Sequence, residues 1–318
     1  MAALATVGHG LVSSGIIWGA NLRGEMLDGH VTELLHGRYP YYFDFGPTEV
    51  AGFLPGATIL ATPFVVLLGT SAYQNIFWGA ASFYLFGRYM GSMRSSLMLA
   101  APILLGLPSI VREFIAGSEY LTNSLVVTLV VLGIGSYSRL GPRQRTALAV
   151  FSGLALSWRV NFLTVIPPMV SFLIQNIGLR PALRYISVPS VIFVAVTVPF
   201  WAYDPDSFSP IHVARRITEF SGLSIPNYVA MLIPGAAGVA SVALSFQRMK
   251  GSPNTLLRNC AIVLAIPTLL GIPLTTFHVG AFEVSHYANF GHSFLFLGAL
   301  VAWNKRPKRV WSADAVST

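Results

Sequence analysis

The stretch from Arg23 to Asp44 places three carboxylates, Glu25, Asp28 and Glu33, ahead of the segment Gly37-Arg38-Tyr39-Pro40-Tyr41-Tyr42-Phe43-Asp44. A carboxylate within about 3 Å of a hydroxyl can take its proton. A guanidinium can hold phosphate oxygens with two parallel donors. The stretch therefore has the parts of a general base and an anion clamp. Met26, Leu27, Val31, Leu34 and Leu35 recur at near-helical spacing, so a short amphipathic helix carries the acids, and Gly37 stops it. Asp28 adjoins the apolar stripe, whereas Glu25 and Glu33 fall on more polar sides. The tyrosines that follow suit a membrane–water boundary, where aromatic belts form.

Further along, Arg159 stands in Ser157-Trp158-Arg159-Val160-Asn161, between two apolar stretches with no acid close in sequence. An ionisable side chain at membrane depth is costly, so it reads either as an anion-binding residue or as a snorkelling arginine at a hairpin turn. Arg215 and Arg216, with His212, form a second cationic group that suits phosphate or a solvated amphipathic helix. Arg112, Glu113 and Glu119 read as a solvated turn. His278, Glu283, His286 and His292 match no zinc-ligand spacing, so no metal is expected, with a carboxylate-bound divalent cation left open.

These residues must be positioned by apolar helices. Of 318 residues, 54% are hydrophobic and 10% charged, against about 25% charged in a soluble domain. The net charge of +8 is spread in short clusters between long apolar runs, which excludes a nucleic-acid face. Cys260 is the single cysteine, so no intramolecular disulfide or cysteine metal cage is expected. No basic segment precedes Leu4–Leu22, so no cleavable signal peptide is expected.

A crossing helix needs roughly 20 apolar residues. That length predicts an all-α polytopic membrane protein, one domain over 1–318, with about ten helices near 3–22, 72–92, 97–115, 119–138, 146–158, 160–177, 184–203, 229–247, 258–277 and 286–304. The run 53–69 is interrupted by Pro55, Gly56 and Pro63 and reads as a re-entrant or interfacial segment. Placing the basic loops inside makes 146–177 a hairpin turning near Arg159 and puts both termini in the cytoplasm. It leaves 23–52 and 204–228 as external loops and 305–318 as a basic cytoplasmic tail. This arrangement sends 14 of 20 basic residues inward and, unprompted, 11 of 12 acids outward. Acids have little influence on topology, so their gathering on one face points either to solvated loops or to a carboxylate-lined site there.

The order of features resembles the polytopic GT-C glycosyltransferases. An acid in the first external loop and a short helix precede Gly37-Arg38-Tyr39-Pro40-Tyr41, and Phe53-Leu54-Pro55-Gly56 with Pro63 follows. Ala149–Pro168 is similar to the family's Gly-Leu-Ala helix with a basic residue before a proline-ended helix. Asp204-Pro205-Asp206-Ser207-Phe208 resembles the Asp-Pro-x-x-Phe that opens its later external loop. The likeness covers about 20–210. It implies a plasma- or inner-membrane enzyme that moves a sugar from a polyprenyl-phosphate donor to a lipid or glycan acceptor, with no cofactor required. A single displacement with a loop carboxylate as base would invert the anomeric centre. That base would be Asp28 or Glu25, which lie 9 and 12 residues before Gly37. Arg159, Arg38, Arg215 and Arg216 would hold phosphate, and Tyr41 and Asp44 would line the substrate. On this reading Arg159→Leu loses activity and still folds.

Two other classes use a polar cavity in a helical membrane domain: a transporter or lipid flippase, and a non-catalytic subunit. Neither an internal repeat nor a phosphate-binding Gly-x(4)-Gly-Lys-Ser/Thr loop is present.

Overall fold

The computed structural model describes residues 22–43, 51–106, 108–212, 227–280 and 292–304. It is helical throughout, with no strand among the described residues. The helices are α1 Leu22–Leu35, α2 Pro55–Leu68, α3 Gln74–Met90, α4 Met93–Gly106, α5 Pro108–Ala116, α6 Glu119–Gly135, α7 Pro142–Leu156, α8 Ile166–Ile177, α9 Leu179–Tyr203, α10 Asn227–Ser245, α11 Pro253–Val279 and α12 His292–Asn304. The expected segment 3–22 and the basic tail lie outside the described residues.

Among the described residues three helical segments, Val160–Ile177, Leu179–Tyr203 and Pro253–Pro273, are long and apolar enough to cross a membrane. The number rises to five if each of two bent pairs is one span. Pro55–Leu68 and Ser71–Met90 meet at 108°, and Ile110–Ala116 and Glu119–Gly135 at 110°. The predicted helix 97–115 falls on the helical residues of α4 and α5. The predicted turn near Arg159 is present: α7 ends at Leu156, and a 3-10 turn over Val160–Val165 leads into α8.

Helix α6 is the axis of the bundle. It packs against α3, α7, α11 and α12, and all its residues but Gly133 are buried. A helix apolar on every side is a core helix, which is what the charge-free run after Glu119 encodes. Thr122, Asn123, Ser124 and Thr128 ride inside it; Ser124 and Thr128 return their hydroxyls to the carbonyls four residues back.

The Pro55-Gly56 pair has a packing reason. The N–H of Leu54 bonds the Trp158 carbonyl at 2.7 Å, and the N–H of Gly56 bonds Ser157 Oγ at 3.2 Å. A Cβ on Gly56 would lie 2.3 Å from the Leu154 carbonyl oxygen and 2.4 Å from that of Ser157. Backbone cannot yield as a side chain can. Gly56→Ala should therefore lower stability by about 1–3 kcal/mol, read as a fall in the unfolding midpoint in detergent; an unchanged midpoint would mean that α2 has room to shift.

The bundle has two chemically different ends. One gathers Asp28, Glu113, Glu119 and Asp204 at the starts of α3 and α6 and the end of α9. The other carries Arg88, Arg94, Arg139, Arg143, Arg145, Arg180, Arg184, Arg248, Lys250 and Arg258, and no Asp or Glu among the described residues. If the basic end is cytoplasmic, an impermeant thiol reagent should label Thr32→Cys in intact cells and Gln144→Cys only after permeabilisation. Both positions are exposed, and the native Cys260 is buried. The reverse pattern would place the acids inside.

Candidate functional site

At the acidic end, α1 is seated as its apolar stripe requires. Met26, Leu27 and Val31 are buried, while Leu35, predicted to belong to the stripe, is exposed. Gly37 does stop the helix, at φ +70°, with the Arg38 N–H reaching back to the Glu33 carbonyl. His30 is boxed by Tyr41 at 5.1 Å and Phe53 at 4.7 Å between ring centroids. Burial lowers its pKa to about 3 and keeps it neutral.

The three described carboxylates of the first loop have different fates. Glu25 is exposed. Glu33 receives both prongs of the Arg38 guanidinium, at 2.5 and 2.6 Å, and the hydrogen-bonded guanidinium holds its carboxyl below the ordinary range. Asp28 is half-buried, and its Oδ1 accepts the Ser71 N–H at 2.6 Å, across to the connection between α2 and α3.

The aromatic segment closes onto the later loop. Tyr39 donates to the Phe200 carbonyl at 2.8 Å, Tyr41 to the Phe53 carbonyl at 3.1 Å and Tyr42 to Asp204 Oδ2 at 2.9 Å. Tyr41 also meets Phe208 edge-on at 4.8 Å. Asp204 Oδ1 accepts the backbone N–H groups of Asp206 and Ser207, both at 3.1 Å. Hydrogen bonds from Ser207, then from Tyr42, hold its carboxyl below the usual value. The loops predicted to share a face therefore touch through a tyrosine–carboxylate contact.

Behind this surface lies a buried charge pair. Arg159 Nη2 bonds Glu119 Oε1; Glu119 is fully buried and Arg159 is 5% exposed. Trp158 Nε1 and Asn123 Nδ2 donate to Glu119 Oε2 at 3.2 and 3.1 Å. The guanidinium lies 4.6 Å from the Tyr120 ring centre, a cation–π distance. Its Nε has no hydrogen-bond partner among the described residues. Ser118 caps α6 through the Tyr120 N–H, so Glu119 occupies the positive end of the helix dipole. This corrects one expectation, since Glu119 is not a solvated residue; the Arg159 charge, with no acid close in sequence, is matched by a carboxylate forty residues away.

Asn75, the second residue of α3, ties the acidic end together. Its Nδ2 donates to the carbonyls of Ser118 at 3.0 Å and Glu113 at 3.3 Å, and its Oδ1 accepts the Thr122 hydroxyl. Just ahead of α3, the Ser71 N–H reaches Asp28 of α1 and the Ala72 N–H bonds the Thr70 hydroxyl. Asp28, Asn75, Glu119 and Arg159 thus belong to one polar layer.

Asp44, Arg215 and Arg216 lie outside the described residues, as do Glu283 and His286. His292 is buried at the start of α12. Among the described residues no group of three His, Cys, Asp or Glu side chains converges. The chain matches no protein-family model, no characterised protein and no solved structure.

Proposed function

We propose that the chain is an integral-membrane glycosyltransferase that takes a sugar from a polyprenyl-phosphate donor and works at the acid-bearing end of the bundle. The observation that carries this reading is the sorting of the first-loop carboxylates. Glu33 is committed to Arg38 and Glu25 is exposed, while Asp28 is half-buried and fixed by a backbone N–H of another element. Fixed geometry is what a general base needs.

In the displacement, the acceptor hydroxyl oxygen bonds to the sugar's anomeric carbon as the bond to the phosphate oxygen breaks. The hydroxyl proton passes to Asp28, polyprenyl phosphate leaves as the anion, and the anomeric configuration inverts. Arg38, whose side chain is 59% exposed, exchanges Glu33 for the donor phosphate, helped by Arg215 and Arg216. Tyr41 and Asp44 line the sugar, and Arg159 supports the site through Glu119. The remaining apolar helices complete about ten crossings of the plasma or inner membrane, with 53–69 re-entrant and both termini cytoplasmic. The acceptor is a lipid or glycan on the outer face, and no cofactor is needed.

A second reading, a transporter or lipid flippase, draws on the Glu119–Arg159 pair, because ionisable groups within a helical membrane domain also mark translocation paths. The two readings separate in one preparation. Purified protein in detergent, given radiolabelled polyprenyl-phosphate sugars and membrane acceptors, should consume donor and release polyprenyl phosphate. Intact donor, with movement of the lipid-linked sugar across reconstituted vesicles, would replace the enzyme with the transporter. Neither result would leave a non-catalytic subunit.

A further inference from the structure

At the basic end, a polar pocket of about 120 Å³ opens between the C-terminus of α6, the C-terminal half of α8 and the turn before α11. Tyr137, Ser138, Arg139, Asn176 and Gly251 line it. The Asn176 amide is spent on the chain, donating to the Phe172 carbonyl and accepting the Gly251 N–H at 2.8 Å, which fixes the pocket's floor. Arg145 is likewise committed, stacked 4.7 Å from the Tyr137 ring centre. Arg139 differs. It is exposed at the pocket, and its side chain has no hydrogen-bond or ion-pair partner among the described residues. No described acid shares this end of the bundle to neutralise it.

An apolar cavity adjoins the pocket. Leu173 lines it and also lines an apolar cavity of about 360 Å³ between α7, α8 and α9. Tyr137 of the pocket touches Tyr185 of the cavity edge-on, with ring centres 5.0 Å apart. Ile134 and Gly135, neighbours in α6, line the cavity and the pocket respectively. Leu156, Leu163, Met169 and Phe193 continue the cavity toward the opposite end. A small cationic pocket thus lies directly beside an apolar groove.

We infer that this paired cavity binds an anionic phospholipid from the leaflet at the basic end, its phosphate at Arg139 and one acyl chain in the groove between α7, α8 and α9. A guanidinium matches phosphate oxygens geometrically, and basic pockets between helices on the cytoplasmic side suit anionic headgroups. A free phosphate would satisfy Arg139 but leave the groove without an occupant, so the lipid is the source that uses both halves. The site is remote from Asp28 and does not depend on the glycosyltransferase reading.

The test uses the full chain in an uncharged detergent, with binding followed by native mass spectrometry and by the unfolding midpoint. The probes are dioleoyl-phosphatidylglycerol, dioleoyl-phosphatidylcholine and inorganic phosphate. Phosphatidylglycerol should bind one to one and raise the midpoint, and the other two should not. Arg139→Gln should weaken that binding about tenfold, the size of a lost charge-assisted hydrogen bond. Ser190→Trp, at an exposed position on the groove, should weaken it comparably without touching the cation. Arg94→Gln, exposed on α4, should bind as the native chain does. Equal stabilisation by phosphatidylcholine or by phosphate alone would overturn the proposal. So would native affinity in both cavity variants, or an Arg94→Gln loss as large as that of Arg139→Gln.

Discussion

Glu119→Gln should destabilise the bundle by about 3–5 kcal/mol, because it strands a guanidinium that is already out of water. Arg159 is 5% exposed, and its carboxylate partner is fully buried. Arg159→Met should cost a similar amount for the mirror reason, leaving a buried carboxylate served by Trp158 and Asn123 and by no cation among the described residues. The double variant Glu119→Gln, Arg159→Met should be more stable than either single one. It removes both charges, and the glutamine oxygen still accepts the Trp158 N–H. Denaturant unfolding of all four proteins in one detergent measures the coupling. Additive losses would show that the pair is not an energetic unit. The pairing also revises the sequence-based expectation for Arg159→Leu: its loss of activity would come with a loss of fold. Arg159→Lys, which keeps the charge but not the planar fork, should fall between.

The second large effect is catalytic. Asp28→Asn should lower donor consumption by about 10²–10⁴-fold, the usual weight of a general base and roughly 3–5 kcal/mol of barrier. The asparagine carbonyl can still accept the Ser71 N–H, so the link between α1 and the α2–α3 connection survives and the unfolding midpoint should hold. Glu25→Gln and Glu33→Gln should stay near native activity, since one residue is exposed and the other serves Arg38. Asp44→Asn and Glu49→Gln complete the series. If Asp28→Asn turns over as the native chain does while another acid's variant is dead and folded, the base is that other acid. Five active variants would remove a first-loop base altogether.

Helix positions were legible because charge-free apolar runs and Gly or Pro punctuation are local signals. Gly37 stopped α1 and the turn fell at Arg159, as their neighbours in sequence required. The apolar stripe of α1 was readable at Met26, Leu27 and Val31 but not at Leu35, since periodicity does not say where a helix's cover ends. The Glu119–Arg159 pair had no local trace. Its members sit on elements forty residues apart, and a lone acid after Ser118 looks the same whether it faces water or a tryptophan. The meeting of the Tyr39–Phe43 segment with Asp204 was foreseen only as a shared face, because hydrogen bonds between distant loops leave no spacing to read.

Two bent helix pairs were described separately, but a single carboxamide spans both. Asn75, in the first turn of α3 just past the 108° bend, donates into the 110° bend, to the carbonyls of Ser118 and Glu113, the second of which also accepts the Ser118 N–H. In a hydrocarbon environment breaking a buried hydrogen bond is costly, so straightening either elbow has to give up the Asn75 bonds that join them. The two therefore form one joint, with Asn75 as its pin. Any opening of the acidic end must swing α2 and α5 together, as a coupled hinge rather than as two independent flaps.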